Sequence, residues 1–177
     1  MKKKVSFYTA AVLITATFFL PSFCIAQSAK VTVQAGGSVP FTFNSLNKYN
    51  EGSTLANWTT LKLNLDDPLQ SSWKLTLQAL SPTIQSDGSS ADLALSTIEA
   101  RVEIVSTNDP SINNAYSPIV LSDNPLGDII LSGTKVVDLE VIININYDCG
   151  TEPTNMLLGK AADFYYIDLS FQLSSVP

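Results

Sequence analysis

Along most of the chain, hydrophobic side chains recur at every second position. Val31, Val33 and Ala35 open the series, and Phe41 and Phe43, then Leu61, Leu63 and Leu65, continue it. Extended backbone points successive side chains to opposite faces, so this period describes strands with one dry and one wet face. Trp73, Leu75, Leu77 and Ala79, then Leu93 and Leu95, then Ala100, Val102 and Ile104 keep the rule, with Thr, Lys, Gln or Glu at many intervening positions. The longest run is Val137, Leu139, Val141, Ile143, Ile145 and Tyr147, interrupted on its polar side by Val136 and Ile142. A closing run, Tyr165, Ile167, Leu169, Phe171 and Leu173, alternates with Tyr166, Asp168, Ser170 and Gln172. No helical stripe competes with these runs; only Met156 to Ala162 has room for a single turn of helix.

Turn-forming clusters separate the runs: Gly36-Gly37, Asn50 to Ser53, Asp66-Asp67-Pro68, Ser86 to Ser90, Asn108-Asp109-Pro110 and Gly150 to Pro153. Each supplies a left-handed residue, a fixed φ, or a side chain that bonds its own backbone. Short strands punctuated in this way predict an all-β fold, an antiparallel β-sandwich of about eight to ten strands. The segment Thr107 to Asp128, rich in Asn, Ser and Pro, reads as a long surface loop holding a short strand at Ile119-Val120-Leu121, and such loops are where binding concentrates.

The first residues change the picture of where this fold resides. Lys2, Lys3 and Lys4 precede an apolar run from Ala10 to Leu20, then Pro21 and small residues up to Cys24-Ile25-Ala26, the layout of a secretory leader. Residues 1–26 are therefore expected to be removed, leaving 27–177 as a single domain with no membrane span, secreted or held at the cell surface. Acylation of Cys24 is disfavoured by the bulky Phe23 before it. The leader takes three of the ten basic residues and none of the sixteen acidic ones, so the remainder carries a net charge of −9. That charge repels nucleic acid and anionic lipid.

With no His in the chain and only Cys149 beyond the leader, Ser-His-Asp triads, Cys-His dyads and Cys/His zinc sites are excluded by inventory, and no cofactor is expected. Cys149 reads as a buried thiol at a strand end, with pairing between chains as the rival. Carboxylates are the remaining catalytic equipment. Asp66 and Asp67, or Asp123 and Asp128, are the pairs to consider for glycan hydrolysis, but adjacent strand residues face opposite ways and Asp66-Asp67 reads first as a turn before Pro68. Asn50, Glu51, Asp109, Asp123, Asn124 and Asp128 offer oxygen ligands for calcium without the spacing of a calcium loop. Among the aromatics Tyr49, Trp58, Tyr116, Tyr147, Tyr165 and Tyr166, alternation sends Tyr147 and Tyr165 inward, along with Trp73, while Trp58 and Tyr116 lie in or beside loops and are the candidate contact residues.

Leu63-Asn64-Leu65-Asp66-Asp67 leads through a short polar turn into Trp73-Lys74-Leu75-Thr76-Leu77, and Tyr166 to Pro177 closes the chain through Phe171-Gln172-Leu173. In these segments the chain resembles the WxL domain family of bacterial surface proteins, with Phe171 standing where the second Trp of the family would be. The resemblance implies wall or surface association, with Trp73, Leu75, Phe171 and Leu173 as motif residues and Trp73 as a further binding candidate. The first expectation is thus a non-catalytic module contacting cell-wall polysaccharide or surface proteins, as a monomer or within a homo- or hetero-oligomer. The alternative is a fimbrial, pilus-like subunit that assembles by lending the strand at Gln27 to Ala35 to a neighbour. A carboxylate-based hydrolase is the third reading.

Overall fold

The computed structural model describes residues 28–43, 45–88, 90–151, 157 and 163–177; the expected leader and its expected cleavage site, and Met156 to Ala162 apart from Leu157, lie outside them. The described chain forms β1 (Ser28–Ala35), β2 (Phe41–Thr42), helix α1 (Leu46–Glu51), β3 (Ser53–Asp66), β4 (Ser72–Ala79), β5 (Thr83–Ser86) and β6 (Leu93–Ala94). A 3-10 turn (Leu95–Thr97), β7 (Ile98–Thr107), β8 (Ile119–Val120), β9 (Asp128–Gly133), β10 (Leu139–Cys149), β11 (Phe164–Tyr166) and β12 (Leu169–Val176) complete it. All pairings are antiparallel, in a five-stranded sheet β1-β3-β10-β7-β8, a four-stranded sheet β2-β11-β5-β6 and a three-stranded sheet β12-β4-β9. The sheets enclose one hydrophobic cluster, so the fold is the all-β sandwich that the alternation foretells.

The dry faces lie where period two puts them. Leu61, Leu63 and Leu65 on β3 and Val141, Ile143, Ile145 and Tyr147 on β10 are buried, and Trp73, Leu75 and Leu77 on β4 face them from the other layer. β10 begins at Leu139, not Val137, because Asp138 takes a left-handed φ of 49° and its carbonyl accepts from the Asn108 side-chain amide at 2.7 Å.

Three features depart from the sequence reading. Val31, Val33 and Ala35 do not form a half-buried face: six of the eight residues of β1 are exposed, because β1 is an edge strand that pairs only with β3. The closing run is not one strand. It splits at Ile167-Asp168, where the chain leaves the four-stranded sheet as β11 and enters the three-stranded sheet as β12; the Asp168 carbonyl accepts from the Leu80 amide at 2.9 Å at this corner. The six-residue helix α1 was hidden from periodicity by its length. It starts at Ser45, whose hydroxyl accepts from the Lys48 amide, and ends at Gly52.

Candidate functional site

The motif segments come together in the three-stranded sheet. β12 runs antiparallel to β4 so that Leu173 lies opposite Leu75, Ser175 opposite Trp73, and Phe171 opposite Leu77. The two aromatic-x-Leu segments are therefore cross-strand neighbours that share one stretch of core. Trp73 is 1% exposed, which corrects its candidacy as a contact residue: it offers a partner no surface. Its indole N–H donates to Asp109 Oδ2 at 2.9 Å. The same carboxylate accepts from the Ser111 amide and hydroxyl through Oδ1 and from the Lys135 amide through Oδ2. Burial pushes the acidity of Asp109 down, but these donors outweigh it and hold its pKa below the ordinary aspartate value. Asp109 is thus the peg on which the start of the Thr107 to Asp128 loop hangs, not a free metal ligand.

That loop is an ordered cover. Asn113 bridges Ser132 on β9 in both directions, the Ser117 hydroxyl accepts from the Val102 amide, and Leu121 is buried. Asp128 is held by the Ser122 hydroxyl and by the Asn124 amide at 3.1 Å. Asp66 and Asp67 diverge as alternation requires. Asp66 is exposed, while Asp67 is buried and accepts from the Ser175 hydroxyl at 2.6 Å. Asn50 and Glu51 lie on α1 or its end, apart from the loop acids, and among the described residues no group of three or more His, Cys, Asp or Glu side chains converges. Cys149 is buried, and burial pushes its thiol up to about 12, as it does the Tyr147 phenol.

Trp58 and Tyr116 are both partly exposed, but the fold does not bring them together. Trp58 lies on β3 beside edge strand β1, and its indole N–H donates to the Ser38 carbonyl at 2.6 Å across the β1–β2 turn. Tyr116 lies in the loop entering β8, at the opposite end of the five-stranded sheet, with β10 and β7 between.

The larger aromatic exposure is elsewhere. On β11, Phe164 and Tyr166 are 61% and 46% exposed, and Tyr165 between them is 2% exposed. β11 is an interior strand, so the pair is presented on the outer face of the four-stranded sheet, with Thr42 opposite Phe164 and Gln85 opposite Tyr166. Asp163 precedes them. Its carboxylate accepts from the Ser86 hydroxyl at 2.6 Å and from the Phe164 amide at 2.8 Å, and these bonds, with those of Ser90, keep it below the ordinary aspartate value and therefore charged. Burial raises the Tyr165 phenol, and the Asp163 charge raises it further. Phe164 escapes a reading of loops and motifs, yet its signal is in the chain: three consecutive aromatics, Phe164-Tyr165-Tyr166, cannot all face inward in a strand of period two.

The chain is thus an antiparallel β-sandwich with two exposed aromatic rings on one outer face. Comparison with protein-family models and with curated proteins gives no match.

Proposed function

We propose that this chain is a non-catalytic module of the cell surface that binds envelope polysaccharide, or proteins attached to it, on the outer face of β11. The observation that carries this reading is the pair Phe164 and Tyr166, two large rings left in solvent on an interior strand, flanked by the hydrogen-bonding side chains of Thr42 and Gln85. Flat rings cover the apolar face of a sugar, and amide and hydroxyl groups beside them bond its hydroxyls. The charged Asp163 and the net acidity of the chain favour neutral or amine-bearing glycans over phosphate-bearing polymers. The secretory layout of residues 1–26 and the resemblance to WxL proteins support the location at the envelope.

The test is sedimentation of the exported protein with purified cell wall. The wild type is expected to pellet, and Phe164→Ala with Tyr166→Ala to bind about tenfold more weakly, the equivalent of roughly 1.4 kcal/mol. A protein that stays in the supernatant beside both wall and envelope proteins contradicts the proposal.

A further inference from the structure

The two long sides of the sandwich are finished differently. On one side the sheets end in the two-residue β8 and in β9, whose outer edge is bridged by Asn113 at 2.7 and 3.1 Å from the Thr107 to Asp128 loop. On the other side they end in β1 and β12, each of eight residues, which approach one another with no covering loop among the described residues. Beside them lies a cleft walled by the Gly36–Gly37 turn and by Val33, Val39, Ile167, Leu169 and Phe171, together with Thr59 and Tyr147. Val33, at its mouth, is 50% exposed.

β1 is held there by its backbone ladder more than by buried side chains, with Val31 packed against the core. It pairs with β3 from Ser28↔Asp66 to Ala35↔Thr60, but six of its eight residues stay exposed, so lifting it off removes little apolar surface from cover on its own side. What it would uncover is the long edge of β3, whose backbone groups need a strand beside them. A hinge follows directly. Gly36 has φ 67°, with the Trp58 carbonyl so near that no other residue fits, and Gly37 has no neighbour within 4 Å of a side-chain position. Two bonds latch the hinge: Thr59 Oγ1 donates to the Gly36 carbonyl at 2.8 Å, and the Trp58 indole donates to Ser38.

We infer that β1 is an exchangeable strand, which leaves its own β3 and pairs in the same register with β3 of a second copy of this chain. The second copy is the occupant that the structure argues for, because the register seen within one molecule is already complementary and is recovered bond for bond in the exchange. The inference is independent of glycan binding on β11, which lies in another sheet.

Variants with one introduced cysteine each test it, the native Cys149 being buried. Lys30 and Asn64 are direct cross-strand partners, close enough for a disulfide, so Lys30→Cys on one chain and Asn64→Cys on a second, differently tagged chain join above the collisional background only if β1 crosses between copies. Mixed and oxidised, the exported proteins are expected to give heterodimer several-fold above the out-of-register pair Lys30→Cys with Thr60→Cys. Trp58→Phe, which removes one latch, should raise the yield. The double variant Lys30→Cys/Asn64→Cys in one chain reports folding by closing within the molecule. Heterodimer no more abundant than in the out-of-register pair overturns the inference, whether or not the double variant closes.

Discussion

Asp109 shows how one side chain connects parts of the fold that are distant in sequence. It receives the Trp73 indole from 36 positions away and the Lys135 amide from 26, and Gly133 lies so close that a Cβ there would stand 2.1 Å from Asp109 Oδ2 and 2.7 Å from Trp73 Nε1. Asp109→Ala strands buried donors and is expected to cost about 3 kcal/mol in urea unfolding. Gly133→Ala is expected to cost about 1–3 kcal/mol by overpacking. The acid dependence has a definite sign. Since the folded pKa of Asp109 is depressed, its contribution is complete above the unfolded aspartate value of about 3.9 and disappears as pH falls through the lower, folded value. Unfolding midpoints from pH 5 to 2 should fall less steeply for Asp109→Asn than for the wild type. Cys149, buried and pushed up to about 12, should be inert to thiol reagents at neutral pH and react fully in denaturant; rapid labelling of the native protein would contradict its placement.

At the scale of elements, the pairing of β4 with β12 makes the motif leucines structural. Leu75 is fully buried, and Leu75→Ala should cost about 2–5 kcal/mol, whereas Phe171→Ala, at a half-buried position on the cleft, should cost less. β3, β4, β7 and β10 were legible because each is long, buried on one face and interleaved with polar residues. β1 was legible as a strand but not as an exposed one, since alternation reports which face is apolar and not whether a second sheet reaches far enough to cover it. The corner at Ile167-Asp168 left no mark because period two continues unbroken through it. For the candidate site, alternation alone sends Trp73 inward, where it lies, and the run Phe164-Tyr165-Tyr166 alone marks a strand with aromatics on both faces. The link from Trp73 to Asp109 depends on tertiary contact and has no local signature.

For the molecule as a whole, the sandwich sets aside separate surfaces: an ordered loop closing one side, an open cleft beside β1 and β12 on the other, and the aromatic pair on an outer face. The acidic surface makes a prediction at this scale. Stripping phosphate-bearing polymers from the wall should leave binding unchanged or raise it, and loss of binding after stripping would show that an anionic ligand had been held against the protein's own charge. The most direct measurement is an NMR titration of isotope-labelled residues 27–177 with solubilised wall glycan. Shift changes centred on Phe164, Tyr166, Thr42 and Gln85 are the expected result; changes confined to the Thr107 to Asp128 loop, or none at saturating glycan, would contradict the assignment of the binding face to β11.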